Sequence, residues 1–174
     1  PYLCLWVLVC GAVSDISGGI FGRLLIKGAA GTFPFCRHWI RKHPIFTAII
    51  LGLILTALGV YTNGQTYGTG YQFVTQALDG QSVQSDIGIM KLFATVGTYW
   101  TGIAGGIFTP SLTIGAGLGV QVAAFTDGSV DQRLLVLLCM AAFLAGATQS
   151  PVTASVIVME MTGCQPVLIW LLIC

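Results

Sequence analysis

Apolar residues occur along this chain in runs that are separated by short polar or glycine-rich stretches. The first runs, residues 2–13 and 16–26, predict one long or broken apolar helix with Ser14 and Asp15 in its middle. Further on, Thr62–Gly70 has the glycine, threonine and asparagine content of a loop. The other predicted helices are Ile45–Tyr61, Tyr71–Leu78 (short and amphipathic), Ile87–Ala104, Thr109–Phe125, Arg133–Thr148 and Val152–Met161, and Pro166–Cys174 opens another.

Several of these apolar segments are short for membrane helices. A helix needs about 20 apolar residues to cross the hydrocarbon core upright, so the shorter segments are expected to be tilted or packed as half-helices. Short and broken helices that meet near the bilayer centre are how many transporters build a binding site. The pattern therefore predicts an all-α, multi-pass integral membrane protein with short, tilted and broken helices and a transport function.

Composition supports a membrane protein. Hydrophobic residues make up 55% of the 174 residues and charged residues only 7%, and the mean hydropathy is +0.88, far from the values of a soluble domain. The net charge of +1 gives no argument for nucleic acid as a partner. Membrane lipid and a transported solute are the expected partners.

Positive charge is concentrated in one connection between apolar segments. Five of the seven Lys and Arg residues fall between positions 23 and 42: Arg23, Lys27, Arg37, Arg41 and Lys42. The positive-inside rule places this connection in the cytoplasm and explains the charges without a ligand. The alternative is a contact with anionic lipid or with a docked protein partner.

The residues that bind metals or perform catalysis do not form recognisable patterns here. The six cysteines form no CxxC pair and no zinc spacing, and the two histidines have no nearby ligand set. The sequence contains no HExxH or GxSxG motif. We therefore expect no metal, no cofactor and no enzymatic activity.

The stretch from Gly105 to Pro110 is the strongest candidate site in the sequence. Paired glycines, Gly105 and Gly106, let a backbone bend and approach a ligand, and Pro110 suits the first turn of a helix. The segment therefore predicts the unwound start of a short helix, with the N–H groups of Ile107, Phe108 and Thr109 free to bind an anion at the positive end of the helix dipole.

Packing offers a different explanation of the same glycines. Small residues let membrane helices approach each other closely, so the glycines could mark a helix contact in a structural or regulatory membrane subunit without transport of its own. A Gly106→Ala substitution separates the two interpretations, because it weakens anion binding in the first and only assembly in the second.

Two ionisable residues in apolar segments are further candidates for the pore or a relay. Glu160, the only glutamate, is either a proton relay or a helix-end carboxylate bonded to nearby backbone or solvent. Lys91 either biases the potential of a vestibule toward anions or extends from the end of its span to the membrane surface. The Phe108 ring either lines the pore or packs.

Three neighbouring motifs together resemble the CLC family of chloride channels and chloride/proton exchangers. Gly105–Leu112 resembles the family's GxFxP anion-selectivity motif and is followed by the small-residue run Gly115–Gly119. Gly146–Thr153 and then Val158–Thr162 resemble the next two helices of the family, with the EMT pattern at a similar spacing. The combination is specific and covers most of residues 87–174.

The resemblance implies a function and a site. It implies the second half of the inverted-repeat CLC fold and transport of chloride by a channel or by proton exchange. It assigns the central anion to the amides of Ile107 and Phe108, with Gly105, Gly106, Thr109 and Pro110 shaping the site. It also implies a homodimer with the helices around residues 133–174 near its interface, in a bacterial inner membrane.

Other motifs of the family are not found in this sequence. The GSGIP-type serine, the GREGP glutamate, the internal proton-relay glutamate and the late pore tyrosine have no counterpart here. The chain, residues 1–174, is therefore expected to be a fragment of the membrane domain that lacks the N-terminal half and the last helix. Channel and exchanger differ at these residues and remain open alternatives.

Overall fold

The computed structural model describes residues 2–29, 42–64, 66–80, 83, 86–100, 105–126 and 130–163. Over these residues the regular elements are all α-helices, as predicted. They are α1 Tyr2–Ala29, α2 Pro44–Tyr61, α3 Tyr71–Leu78, α4 Ile87–Trp100, α5 Phe108–Phe125, α6 Gln132–Thr148 and α7 Pro151–Thr162. Arg37 and Arg41 of the basic connection and the predicted helix at Pro166–Cys174 lie outside the described residues.

Helix α6 lies at the centre of the fold and packs against α1, α5, α7 and α3. Every residue from Leu135 to Leu144 is buried. A helix that is apolar on all sides is stable only when other helices surround it, and the run of leucine, alanine, valine, methionine and phenylalanine in α6 has no polar face to expose.

Glycines let the backbones of the central helices come close together. A Cβ atom added at Gly115 of α5 would lie 2.7 Å from the Met140 Cα atom of α6, and one at Gly117 would lie 2.5 Å from the Gly88 Cα atom of α4. The small-residue run therefore packs α5 against two neighbours at once. This packing fixes the position of α5, and with it the glycine pair at its start.

The structure corrects two details of the predicted helices. Helix α1 is continuous through Ser14 and Asp15, where the sequence allowed a break. Ser14 is fully buried, and Asp15 lies over Gly146 of α6, where a Cβ atom would meet the Asp15 Oδ1 atom at 2.7 Å. Helix α5 agrees with the predicted bounds Thr109–Phe125 to within one residue, and with 18 residues it is longer than the short helix expected after the glycine pair.

Two described helices are long and apolar enough to cross a membrane, Leu5–Lys27 and Phe108–Phe125. Three shorter apolar helices accompany them over Ile45–Tyr61, Gln132–Thr148 and Pro151–Met161. Their lengths are short for an upright crossing, and a tilted or half-crossing placement of these helices stays a prediction. Helix α2 exposes a row of large apolar side chains: Ile45, Phe46, Ile49, Ile50, Leu53 and Ile54.

Candidate functional site

The start of α5 leaves backbone donors without partners inside the helix. No side chain caps this end of α5, and its first backbone bond runs from the Ser111 N–H to the Ile107 carbonyl at 3.1 Å. The N–H groups of Ile107, Phe108 and Thr109 therefore precede the first intrahelical bond. Pro110, in the first turn, has no N–H to satisfy. The helix begins within one residue of the predicted start, and anion binding by these N–H groups stays a prediction.

The two glycines before the helix are exposed and do not pack against a described element. A Cβ atom added at Gly105 or Gly106 would meet no described heavy atom within 4 Å. The glycines of the 115–119 run behave differently, because they touch neighbouring backbones. Packing within the described fold therefore accounts for the later glycines and not for this pair.

The Gly105 carbonyl has a specific partner. The Tyr99 hydroxyl, in the last turn of α4, donates to the Gly105 oxygen at 3.3 Å. A free carbonyl oxygen near an anion path would repel the anion, and this bond fixes where that oxygen lies. Sequence reasoning missed the role of Tyr99, since nothing in the sequence pattern indicates this contact.

A cavity of about 300 Å³ lies directly beside the glycine pair. Residues of α4 and of the loop between α2 and α3 form most of its lining. The lining residues are Leu55, Thr66, Tyr67, Gly68, Lys91, Ala94, Thr95, Thr98, Tyr99, Gly105, Gly106 and Pro110. The structure thus brings together two regions that the sequence analysis treated separately, Lys91 and the start of α5.

Lys91 is buried, with 5% of its surface exposed. Its ammonium group donates to the Thr66 carbonyl at 2.7 Å and to the Gly68 carbonyl at 2.6 Å. A side chain that reaches the membrane surface would be exposed at its tip, so this geometry does not fit the second interpretation of Lys91. An effect of Lys91 on the potential of the cavity stays a prediction.

Two hydroxyl groups on the cavity wall direct their protons to the helix backbone. Thr95 Oγ1 donates to the Lys91 carbonyl and Thr98 Oγ1 donates to the Ala94 carbonyl, each at 2.8 Å. A hydroxyl has one proton, so neither group donates it to the cavity in this arrangement. Lys91 is the one cationic residue among the described residues that line the cavity, and Gly105, Gly106 and Pro110 are its lining residues from the start of α5.

Two further candidate residues, Phe108 and Glu160, lie outside the cavity lining. The Phe108 side chain is 53% exposed and is not among the cavity-lining residues. Glu160 is exposed near the end of α7 and does not line the cavity either. This position fits a helix-end carboxylate in contact with solvent, and a relay role stays a prediction. Among the described residues, no group of three or more His, Cys, Asp or Glu side chains could hold a metal ion.

Comparison with known proteins assigns the chain to a family. The sequence profile described as "Voltage gated chloride channel" matches residues 1–174. The voltage-gated ClC-type chloride channel ClcB of Escherichia coli (strain SMS-3-5 / SECEC) is 35% identical over 120 residues, which cover 64% of this chain and 28% of that protein. An uncharacterized protein of Haemophilus influenzae is 87% identical over 48 residues, or 28% of this chain and 49% of that protein.

The fold has a matching solved structure. The crystal structure of a CLC-type fluoride/proton antiporter superposes with a TM-score of 0.77 at 27% sequence identity. The match covers 98% of this chain and 42% of the antiporter chain. The chain thus matches less than half of the length of each of these proteins.

Proposed function

Because the chain belongs to the voltage-gated chloride channel family, we propose that it forms part of an anion transporter that holds chloride, or a similar small anion, on the backbone N–H groups of Ile107 and Phe108. Members of this family are integral membrane proteins, and the apolar helices of this chain agree with that setting. The observation that carries the proposal is the uncapped start of α5 beside a cavity.

The chemistry of the site favours an anion over a cation. The N–H groups at a helix N-terminus carry about half a positive charge in total, and they point to where a ligand would sit. Fixed dipoles attract an anion without the strong binding of a full opposite charge, and conduction needs an ion that can leave. Gly105, Gly106, Thr109 and Pro110 shape the backbone that presents these groups.

An uncapped helix start alone would be weak support, since α2, α3 and α7 also lack a side-chain cap. Helix α6 shows the ordinary solution, in which the Asp131 carboxylate accepts from the Arg133 N–H at 3.1 Å. The start of α5 differs from the other uncapped starts because an exposed glycine pair precedes it and a cavity adjoins it. The structural-subunit alternative has no comparable support, since these glycines do not pack within the described fold.

We propose that Lys91 raises the concentration of anions in the cavity. Lys91 and the glycine pair line the same cavity, and a cationic wall of low dielectric attracts anions. Glu160, exposed on α7, is not assigned to the path. A Glu160→Gln variant is expected to leave any proton movement unchanged, and loss of that movement would restore the relay hypothesis.

The location in a bacterial inner membrane and the assembly as a homodimer are also proposals. The ClcB relative is bacterial, which supports a bacterial inner membrane. Helix α7 exposes Val152, Val156 and Met161, which supports a homodimer interface in the region 133–174. Multi-angle light scattering of the full-length protein in detergent should give the mass of two protomers, and a monomer mass would contradict the proposal.

The test of transport is anion efflux from liposomes that contain the full-length protein, with external pH recorded at the same time. Both chloride and fluoride should be measured, because the relatives are described by different anions. Anion efflux coupled to opposite proton movement would identify an exchanger, and efflux without a proton signal would identify a channel. Folded protein that moves neither anion would refute the proposed function.

A further inference from the structure

The loop between α2 and α3, here called the 62–70 loop, is attached to two other helices. Lys91 of α4 donates to the carbonyls of Thr66 and Gly68. The Thr113 hydroxyl of α5 shares its proton between the Thr69 carbonyl at 3.0 Å and the Thr109 carbonyl of its own helix at 3.1 Å. Thr66, Tyr67 and Gly68 at the same time line the cavity beside the glycine pair. The loop is therefore a wall of the cavity whose position depends on side chains from α4 and α5.

The loop also packs closely against α5 at the position where α3 begins. Gly70 has a φ of +76°, and a Cβ atom at this position would lie 2.6 Å from the Thr113 Oγ1 atom. At the other end, the Thr62 and Thr66 hydroxyls are hydrogen-bonded and the Tyr67 hydroxyl donates to the Thr56 carbonyl at 3.2 Å. Both ends of the loop are therefore fixed, and Lys91 holds its middle.

The described partners of the Lys91 ammonium are carbonyl oxygens. An ammonium group has three donors, and two of them are directed to the loop. Removing these donors would leave the Thr66 carbonyl, which is in a buried residue, and the Gly68 carbonyl without these bonds. A buried acceptor without a partner is unfavourable, so the middle of the loop would move until water reached it.

We propose that Lys91 is a positioning residue that holds the 62–70 loop against α4 and thereby sets the width of the anion path beside Gly105 and Gly106. The inference rests on the proposed anion path for its functional consequence. Its structural part, the attachment of the loop by Lys91, does not depend on transport. A lysine that acts only through its charge would change the potential of the cavity and leave the loop in place.

Hydrogen exchange of the full-length protein in detergent tests the attachment directly. The Tyr67 N–H donates to the Gly64 carbonyl at 3.1 Å and reports on the opening of the loop. We expect its exchange to accelerate at least tenfold in Lys91→Met, which has no donor, and less than threefold in Lys91→Arg, which keeps donors and charge. Lys27→Met is the matched control, because it removes an exposed lysine near the end of α1. Its Tyr67 exchange should equal that of the wild type.

Anion selectivity tests the consequence for the path. In liposomes, Lys91→Met should raise the flux of nitrate and thiocyanate relative to chloride at least threefold, because a displaced wall admits larger anions. A fall in the flux of all anions by the same factor, which Lys91→Arg reverses and high ionic strength reduces, would support a charge effect alone. It would overturn the positioning role.

Two outcomes keep the inference separate from the proposed function. Wild-type Tyr67 exchange in Lys91→Met overturns the attachment, whatever the transport result. If Lys91→Met does not fold, Lys91→Gln is used, because it removes the charge and keeps one amide donor group. If the Tyr67 N–H exchanges faster in Lys91→Gln than in Lys91→Arg, the attachment of the loop is supported. Exchange of this group at the wild-type rate refutes the attachment. A wild-type protein that moves no anion contradicts the transport proposal alone.

Discussion

Gly106→Ala tests the anion site with little expected effect on the fold. A Cβ atom at Gly106 meets no described heavy atom within 4 Å, and Gly106 is not among the positive-φ glycines. Alanine can therefore adopt the same backbone without strain. Replacing a glycine in this situation stabilises a protein by about 0.4–1 kcal/mol through the unfolded chain. The melting temperature of the variant should equal or slightly exceed that of the wild type.

Anion binding should respond in the opposite direction. The added methyl group occupies open space at a residue that lines the cavity. If it prevents one N–H group from reaching the anion, the loss is that of a hydrogen bond to a charged group, about 1.5–3 kcal/mol. This energy corresponds to chloride binding weaker by about 10- to 150-fold.

Isothermal titration calorimetry of chloride with the full-length protein measures the affinity, and thermal unfolding measures the fold. Gly52→Ala is the control, because Gly52 lies on exposed α2 and a Cβ atom there also meets nothing within 4 Å. Its chloride affinity should be unchanged. A Gly106→Ala protein that is folded and binds chloride within twofold of the wild type would refute the assignment of the site to this backbone.

Three other substitutions distinguish effects on the anion site from effects on the stability of the fold. Tyr99→Phe removes the donor to the Gly105 carbonyl and should slow chloride flux about 2- to 13-fold, with a small fall in melting temperature, since a typical hydrogen bond contributes about 0.5–1.5 kcal/mol. Asp131→Ala removes the cap of α6 and should lower the free energy of unfolding by about 1 kcal/mol in denaturation assays, with chloride affinity unchanged. Gly115→Ala should destabilise the protein by about 1–3 kcal/mol, because its Cβ would overlap Met140. An unchanged melting temperature in this last variant would contradict the packing described for α5.

The helices themselves were largely predictable from the sequence, for physical reasons that individual segments show. The predicted bounds of Tyr71–Leu78 and Ile45–Tyr61 agree with α3 and α2 to within one residue. Both segments carry their signal locally, as an apolar face or an uninterrupted apolar run between loop residues. The start of α5 was predictable for the same reason, since glycine and proline act on their own backbone.

Features that depend on distant contacts were not predictable. The break allowed at Ser14 and Asp15 does not occur. Asp15 packs closely against Gly146 of α6, a contact far along the chain that the local pattern does not indicate. The two interpretations of Lys91 could not be separated, because its acceptors belong to the 62–70 loop. A lysine in an apolar span does indicate that acceptors must exist nearby, and a glycine-rich loop is one source of free carbonyls. The sequence does not say which loop meets which helix.

The carbonyl partners of Lys91 also bear on how an anion can leave the proposed site. A buried ammonium without partners would attract chloride strongly, because opposite charges interact strongly where water is scarce. Here the negative ends of the Thr66 and Gly68 carbonyl dipoles face the ammonium at 2.7 and 2.6 Å and offset part of its charge. The amides at the start of α5 supply only partial charges. Both sources of positive potential are therefore moderate, which is the condition under which a selective path can bind an anion and release it.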